Sequence, residues 1–459
     1  MTDPLHGLTP SFPVTINAPA VAGSLTMNDF GTTAPVLINQ STLTIGSSLT
    51  IAADSVIQNF GAISVGGVAE ILNQSVLLNS GTLNLAQGGD FRDQSSITNT
   101  GKGTIDVTGG TLNVLVDVAN SGKIIVESGA TLSFSSGTSV TNDGTIEVKD
   151  ATLKVTGSIA GSGSVQIDSG ALFELNGSDV QNVVFAGTSA EMQIDASSFG
   201  GSIVGLAATD ELDLRTIGYG LNTTGIYVSD PNNDGGILTI TDGSHSISMT
   251  LVGDYRNAHF AGSTDGNGGT LITLNAADDV PAFVSAETTQ SGVITELSNT
   301  TGSSVHESVS GSIHFTDIDL TDRPTATITS QTVTWTAADH TTDLSSSLSQ
   351  SELDALEQAV SLIQSNNTNN GVIGWTYSIA DSSLDFLAAG DTAKVVSTVT
   401  LNDHQGATDT ATVTITITGT NDAPVIVDET DPSTQTVILA RSPIVLDQGV
   451  DTNLLGLQT

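Results

Sequence analysis

The chain has 459 residues, with 49 Asp and Glu against 10 Lys and Arg, a formal net charge of -39 at pH 7. Ten cations within such a field argue against nucleic acid and anionic membrane surfaces as partners. Cysteine is absent, which rules out disulfides, zinc–thiolate centres and thiol nucleophiles, and no run approaches the ~18 apolar residues of a membrane span.

Residues 1–30 read as an N-terminal cap or leader. Met1-Thr2-Asp3-Pro4 lacks the basic-then-apolar layout of a cleavable signal. The expectation is either a protein that stays inside or export by a route that reads another signal.

Residues 31–200 repeat. The pattern Gly-x-Ile/Leu-x-Val/Leu/Ile starts at Gly61, Gly81, Gly103, Gly122, Gly144 and, with Val in third place, Gly163; a Ser-led copy starts at Ser41. The intervals are 20, 20, 22, 19, 22 and 19 residues. Asn59, Asn79, Asn99, Asn120 and Asn142 recur at one phase, each followed two residues on by Gly. Three short alternating strands per repeat predict a parallel β-helix of seven coils, stacked at a rise of ~4.8 Å. Alternation sends Ile105 with Val107, Ile146 with Val148, and Phe134 and Phe173 inward. The Asn residues are expected to pair along a turn, with the adjacent Gly supplying a positive φ.

Residues 201–280 keep strand-like segments without the strict period, and read as larger β coils or a β cap. Asp230-Pro231-Asn232-Asn233-Asp234-Gly235 matches the first half of an EF-hand loop. Position twelve is Thr241 where a bidentate Glu is required, so Asp230, Asn232 and Asp234 are the weaker metal candidates, and a hairpin turn competes with them.

From residue 281 to 425 longer Thr- and Ser-rich strands take over, over 325–336, 393–401 and 410–418. Ser349 with Glu352 forms a capping box, and Leu353, Leu356, Val360 and Ile363 share one helical face. A β-sandwich follows from this layout, with Trp335 and Trp375 in its core. Residues 426–459 hold two more alternating runs, Gln435–Leu439 and Ser442–Leu446, and read as the start of a further module or a tail.

The run Val413-Thr-Ile-Thr-Ile-Thr-Gly-Thr-Asn-Asp-Ala-Pro424 resembles the end of a VCBS-type repeat, a cadherin-like module of large bacterial surface proteins. Phe315-Thr316-Asp317-Ile318-Asp319, Leu387-Ala388-Ala389-Gly390-Asp391-Thr392 and Asp403-His404-Gln405-Gly406 lie in the order that family would have. The resemblance covers about residues 300–425. It implies a Greek-key sandwich of cadherin/Ig type; with the β-helix before it, the strand patterns make the protein all-β. It also implies calcium, with Glu307, Asp317 and Asp319, Asp403, and Asn421 with Asp422 in the ligand positions, and Asp391 in place of an acidic residue of the middle motif. Calcium suits the composition independently, because it takes six to eight hard oxygen ligands. Residues 286–425 hold 17 acidic and 2 basic side chains, against 15 and 5 in residues 31–200.

Together these readings predict a non-catalytic adhesin-type protein, secreted or displayed on a bacterial surface. A rigid β-helix would be its stalk and a calcium-stiffened module its linker. Its partner would be a surface glycan, a surface protein or another copy of itself. By resemblance it would leave the cytoplasm in one step, without a cleaved N-terminal signal. The alternative is a β-helix polysaccharide lyase or hydrolase with the sandwich as accessory domain. Asp106 and Glu147, two coils apart on one outward position, are the carboxylate pair it would need.

Overall fold

The computed structural model describes residues 13–28, 34–275, 277–285, 288–365 and 368–422. They are nearly all β. The chain falls into two compact units, Met1–Asp278 with Ile318–Thr321, and Asp279–Asp317 with Asp322–Thr459. The runs at 435–439 and 442–446 lie outside the described residues. No helix among the described residues is long and apolar enough to cross a membrane.

The first unit is a parallel β-solenoid of about 10 turns. Nine turns each give one short strand to each of three sheets, and the tenth gives Ser202–Val204 and Glu211–Leu214 to two of them. Registers are residue-for-residue: Ile105 sits between Leu83 and Ile124, and Ile146 between Ile124 and Val165. All five are buried, as are Phe134 and Phe173. The column of stacked aliphatics is the core, and burial of apolar area along it is the main favourable term.

The solenoid is longer than the seven expected coils. Val14–Ile16, Ala20–Ala22 and Leu25–Met27 make a coil ahead of them, and in-register stacking continues through Asn182–Phe185 and Glu191–Ile194 to Glu211–Leu214. These coils lack the Gly-led pattern yet keep the inward alternation, with Val183, Phe185, Met192 and Ile194 buried. Inward alternation defines a coil; the glycine is an accessory.

The asparagines form a buried ladder. Asn39, Asn59, Asn79 and Asn99 each donate through Nδ2 to Oδ1 of the next Asn at 2.7–2.8 Å, and Asn120 donates to Asn142 at 2.6 Å. The glycines beside them correct the expectation of positive φ: Gly61, Gly81, Gly122, Gly144 and Gly163 are not left-handed. Crowding explains them instead, since a Cβ at Gly61, Gly81, Gly144 or Gly163 would overlap the carbonyl oxygen of Ser41, Gly61, Gly122 or Gly144 on the coil before. Left-handed residues at another corner include non-glycines: Ala53 and Asp54, Asn73 and Gln74, Asp93 and Gln94.

After Leu214 the parallel pattern ends. Ser246–Val252 stacks parallel on Ser202–Val204, then pairs antiparallel with Gly235–Thr241, which pairs with Thr224–Ser229. Thr270–Asn275 pairs antiparallel with Glu211–Leu214 and with His259–Thr264. The segment Ile318–Thr321 adds to this last edge: the Leu320 N–H donates to Phe260 O at 2.9 Å, and the Gly262 N–H to Ile318 O at 2.9 Å.

The second unit holds two four-stranded sheets around one core. One runs Ala282–Val284, His306–Thr316, Gly371–Ala380, Val360–Ser365; the other runs Ser291–Thr295, Thr408–Thr418, Thr392–Asn402, Thr325–Thr336. All pairings are antiparallel except Ser291–Thr295 on Thr408–Thr418. Trp335 and Trp375 are buried in the shared core. The capping box forms at Ser349 and Glu352, but the helix is only Gln350–Gln358. Val360 and Ile363 belong to the following strand, where pairing with Tyr377 and Gly374 replaces helical bonds, and Ile363 points to solvent.

Candidate metal centre

At one end of the second unit three carboxylates converge. Glu296 directly follows the strand Ser291–Thr295, and its N–H donates to Thr418 O at 3.0 Å, continuing the parallel pairing. Asp422 lies just beyond the partner strand Thr408–Thr418, and Asp385 just beyond the 3-10 turn Asp381–Ser383. One carboxylate oxygen from each of Glu296, Asp385 and Asp422 lies within 4.8 Å of the others. Parallel pairing brings the ends of two strands distant in sequence to one place, and the turn supplies the third group.

The loop 297–302 closes around them. The Leu297 N–H and the Thr300 hydroxyl donate to Asp381 at 3.0 and 2.8 Å, and the Gly302 N–H donates to Asp385 Oδ2 at 2.9 Å. The Thr420 N–H donates to Glu296 Oε2 at 2.8 Å, and the Asn299 N–H to the Asn421 carbonyl at 2.8 Å. Each carboxylate of the trio still keeps one buried oxygen with no hydrogen bond: Glu296 Oε1, Asp385 Oδ1 and Asp422 Oδ1. Buried acceptors left open in this way carry a desolvation cost that a cation would remove.

The electrostatics agree. Burial, and then the charges of Asp422, Asp381 and Asp385, push Glu296 up to about 8 despite the Thr420 N–H. Burial, then Asp385 and Asp381, push Asp422 up to about 6. Asp385 is raised by burial and then by Asp381, against the Gly302 N–H. Among the described residues no ion pair reaches Glu296, Asp381, Asp385 or Asp422. Glu307, on the strand His306–Thr316, is raised by burial and then by Asp381, and both its oxygens lack hydrogen bonds. The trio and its neighbours therefore hold more negative charge than their surroundings balance, with hard oxygen donors only, which is the donor set of calcium.

The other sequence candidates lie elsewhere. Both Asp391 oxygens are engaged: Trp335 Nε1 donates to Oδ2 at 3.0 Å, and the N–H groups of Ala338 and Ala388 donate at 2.9 and 3.2 Å. Asp403 Oδ1 accepts from the N–H groups of Gln405, Gly406 and Ala407 at 2.7, 3.0 and 3.1 Å, shaping the hairpin between Thr392–Asn402 and Thr408–Thr418. Asp317 falls in the second unit and Asp319 in the first. Asn421 is exposed and adjoins the trio through its backbone. Asp230, Asn232 and Asp234 sit in the hairpin between Thr224–Ser229 and Gly235–Thr241, where Asp230 Oδ1 accepts from the Asn232 and Asp234 N–H groups at 3.1 and 3.2 Å.

Of the residues the sequence proposed, the trio contains Asp422 alone. Glu296 and Asp385 carry no recognisable motif; the signal for Glu296 was an acid ending a short strand, and for Asp385 an acid four residues after Asp381. In the solenoid, Asp106 and Glu147 do share one outward column, with Ile125 between them. Glu147 is buried there in ion pairs with Lys123 and Lys149. No protein-family model matches the chain, and no curated protein matches it.

Proposed function

We propose that this is a non-catalytic, calcium-dependent adhesin-type protein of a bacterial surface. The single observation that carries the calcium reading is the convergence of Glu296, Asp385 and Asp422, each with an unsatisfied buried oxygen and none ion-paired among the described residues. Calcium would be held by these carboxylates with Asp381 and Glu307 as charged neighbours, and it would tie the ends of both strands to the 297–302 loop. The strand order of the second unit supports the cadherin-like resemblance. It places four strands in each of two sheets packed around one core, as in a β-sandwich, with Ser291–Thr295 running parallel to Thr408–Thr418.

The solenoid supports a stalk or display surface, because its stability is additive along a rigid column and its outward positions are free to vary. The neutralised Glu147 supports a non-catalytic role for the Asp106–Glu147 column. Partners of this reading are a surface glycan, a surface protein or a second copy, with secretion by one-step export and folding where calcium is abundant.

Calorimetric calcium titration of the chelated full-length chain tests the reading. Saturable binding that Glu296→Gln weakens by roughly tenfold or more supports it. Absence of binding, or binding indifferent to Glu296→Gln, overturns it.

A further inference from the structure

A second convergence, chemically unlike the first, lies within the first unit. His259 begins the strand His259–Thr264, to which Ile318–Thr321 is added as a new edge through an antiparallel bridge between Ala261 and Asp319. Asp278 follows the neighbouring strand Thr270–Asn275. His259 Nδ1 lies 3.6 Å from Asp319 Oδ2 and 3.7 Å from Asp278 Oδ1. All three ligand atoms lie within 4.8 Å of one another. Asp319 is fully buried, and the other two are half-buried.

Both imidazole distances exceed hydrogen-bonding range. They sit close to the ligand–ligand edge of a tetrahedral zinc site, ~3.3–3.4 Å for bonds near 2.05 Å. One imidazole nitrogen and two carboxylate oxygens offer three ligand atoms to a single divalent ion. Imidazole selects against calcium, which wants oxygen throughout, and for borderline first-row ions.

We propose that His259, Asp278 and Asp319 form a structural site for a borderline divalent transition-metal ion of the zinc class, clipping the segment Ile318–Thr321 to the edge strand of the first unit. The ion takes one lone pair from Nδ1 and one from each carboxylate; water completes its shell. Binding favours only the paired arrangement, so it lowers the opening of the Leu320 and Gly262 amide bonds.

The test uses the full-length chain, stripped with chelator and returned to millimolar calcium so that oxygen-only sites are filled. Zinc chloride is titrated calorimetrically, and cobalt chloride is followed by visible absorption. One saturable site is expected, weakened by roughly 10- to 100-fold in both His259→Gln and Asp278→Asn, with slower hydrogen exchange at Leu320 in zinc-loaded protein. Glu296→Gln leaves this site intact, which separates its failure from failure of the calcium reading. Should His259→Gln fail to fold, Asp278→Asn, on a half-buried side chain beyond the strand end, decides. No zinc site, or a site that survives the decisive variant unchanged, overturns the proposal.

Discussion

Asn142 and Gln181 are hydrogen-bonded at 2.7 Å, although a whole coil separates them in the solenoid. The intervening coil has Gly161 at the ladder position, and its Ala160 carbonyl accepts from Gln181 Nε2 at 3.1 Å. Glutamine has one methylene more than asparagine, and here that length spans a missing rung. The buried polar column is thereby closed at both ends of its gap, as buried amides require.

The ladder is expected to be worth more at its centre than any single bond. Asn99 donates to Asn120 and to the carbonyls of Gly103 and Lys123, and accepts from Asn79. Asn99→Ala leaves several buried groups unpaired and should cost about 3 kcal/mol or more. Gln181→Asn, too short to reach Asn142, should cost about 1–2 kcal/mol. Urea unfolding of the solenoid transition measures both.

Glycine substitutions should separate crowding from turn geometry. Gly81→Ala drives a Cβ into the Gly61 carbonyl, so it should destabilise the solenoid by about 1–3 kcal/mol. Gly220 has nothing within 4 Å of its would-be Cβ, so Gly220→Ala should be neutral or stabilise by about 0.5 kcal/mol. Thermal melting of the two variants side by side reads the difference in sign.

The acid trio makes a pH prediction. Glu296 has its folded pKa raised from 4.5 to about 8. The folded state therefore holds a proton that the unfolded chain releases, and stability from that proton is complete below about pH 4.5 and lost as pH rises through about 8. Asp422, raised from 3.8 to about 6, acts in the same direction over a lower window. In chelator, the second unit should melt higher at pH 5 than at pH 8. Glu296→Gln, which fixes the neutral form, should flatten that dependence. Calcium binding at pH 7 should expel about one proton, seen as a binding enthalpy that varies with the ionisation heat of the buffer.

Asp391 is expected to act through packing. Its carboxylate accepts from Trp335 Nε1 and two backbone N–H groups. Asp391→Asn, with one acceptor oxygen instead of two, should cost about 1–3 kcal/mol while leaving calcium affinity unchanged in calorimetry. A parallel loss of affinity would place Asp391 among the ligands after all.

The solenoid is legible in the residues alone, because a coil is local: its inward alternation, its Asn and its crowded Gly all recur within about twenty residues. The burial of Trp335 and Trp375 and the helix cap at Ser349 were legible too. The local pattern misjudged the role of Gly61 and Gly81, since closeness to the next coil and positive φ favour the same residue. It also extended the helix to Ile363, because helical spacing cannot foresee pairing with Gly374. Which acids meet depends on strand pairing between distant segments. Glu296 and Asp422 are 126 positions apart and come together through one parallel strand pair, while Asp317 and Asp319, two positions apart, fall in different units. Strand registry between distant segments sets those encounters, and nothing in the local pattern encodes it. The charge of -39 raised the question of cations; strand pairing set which carboxylates meet.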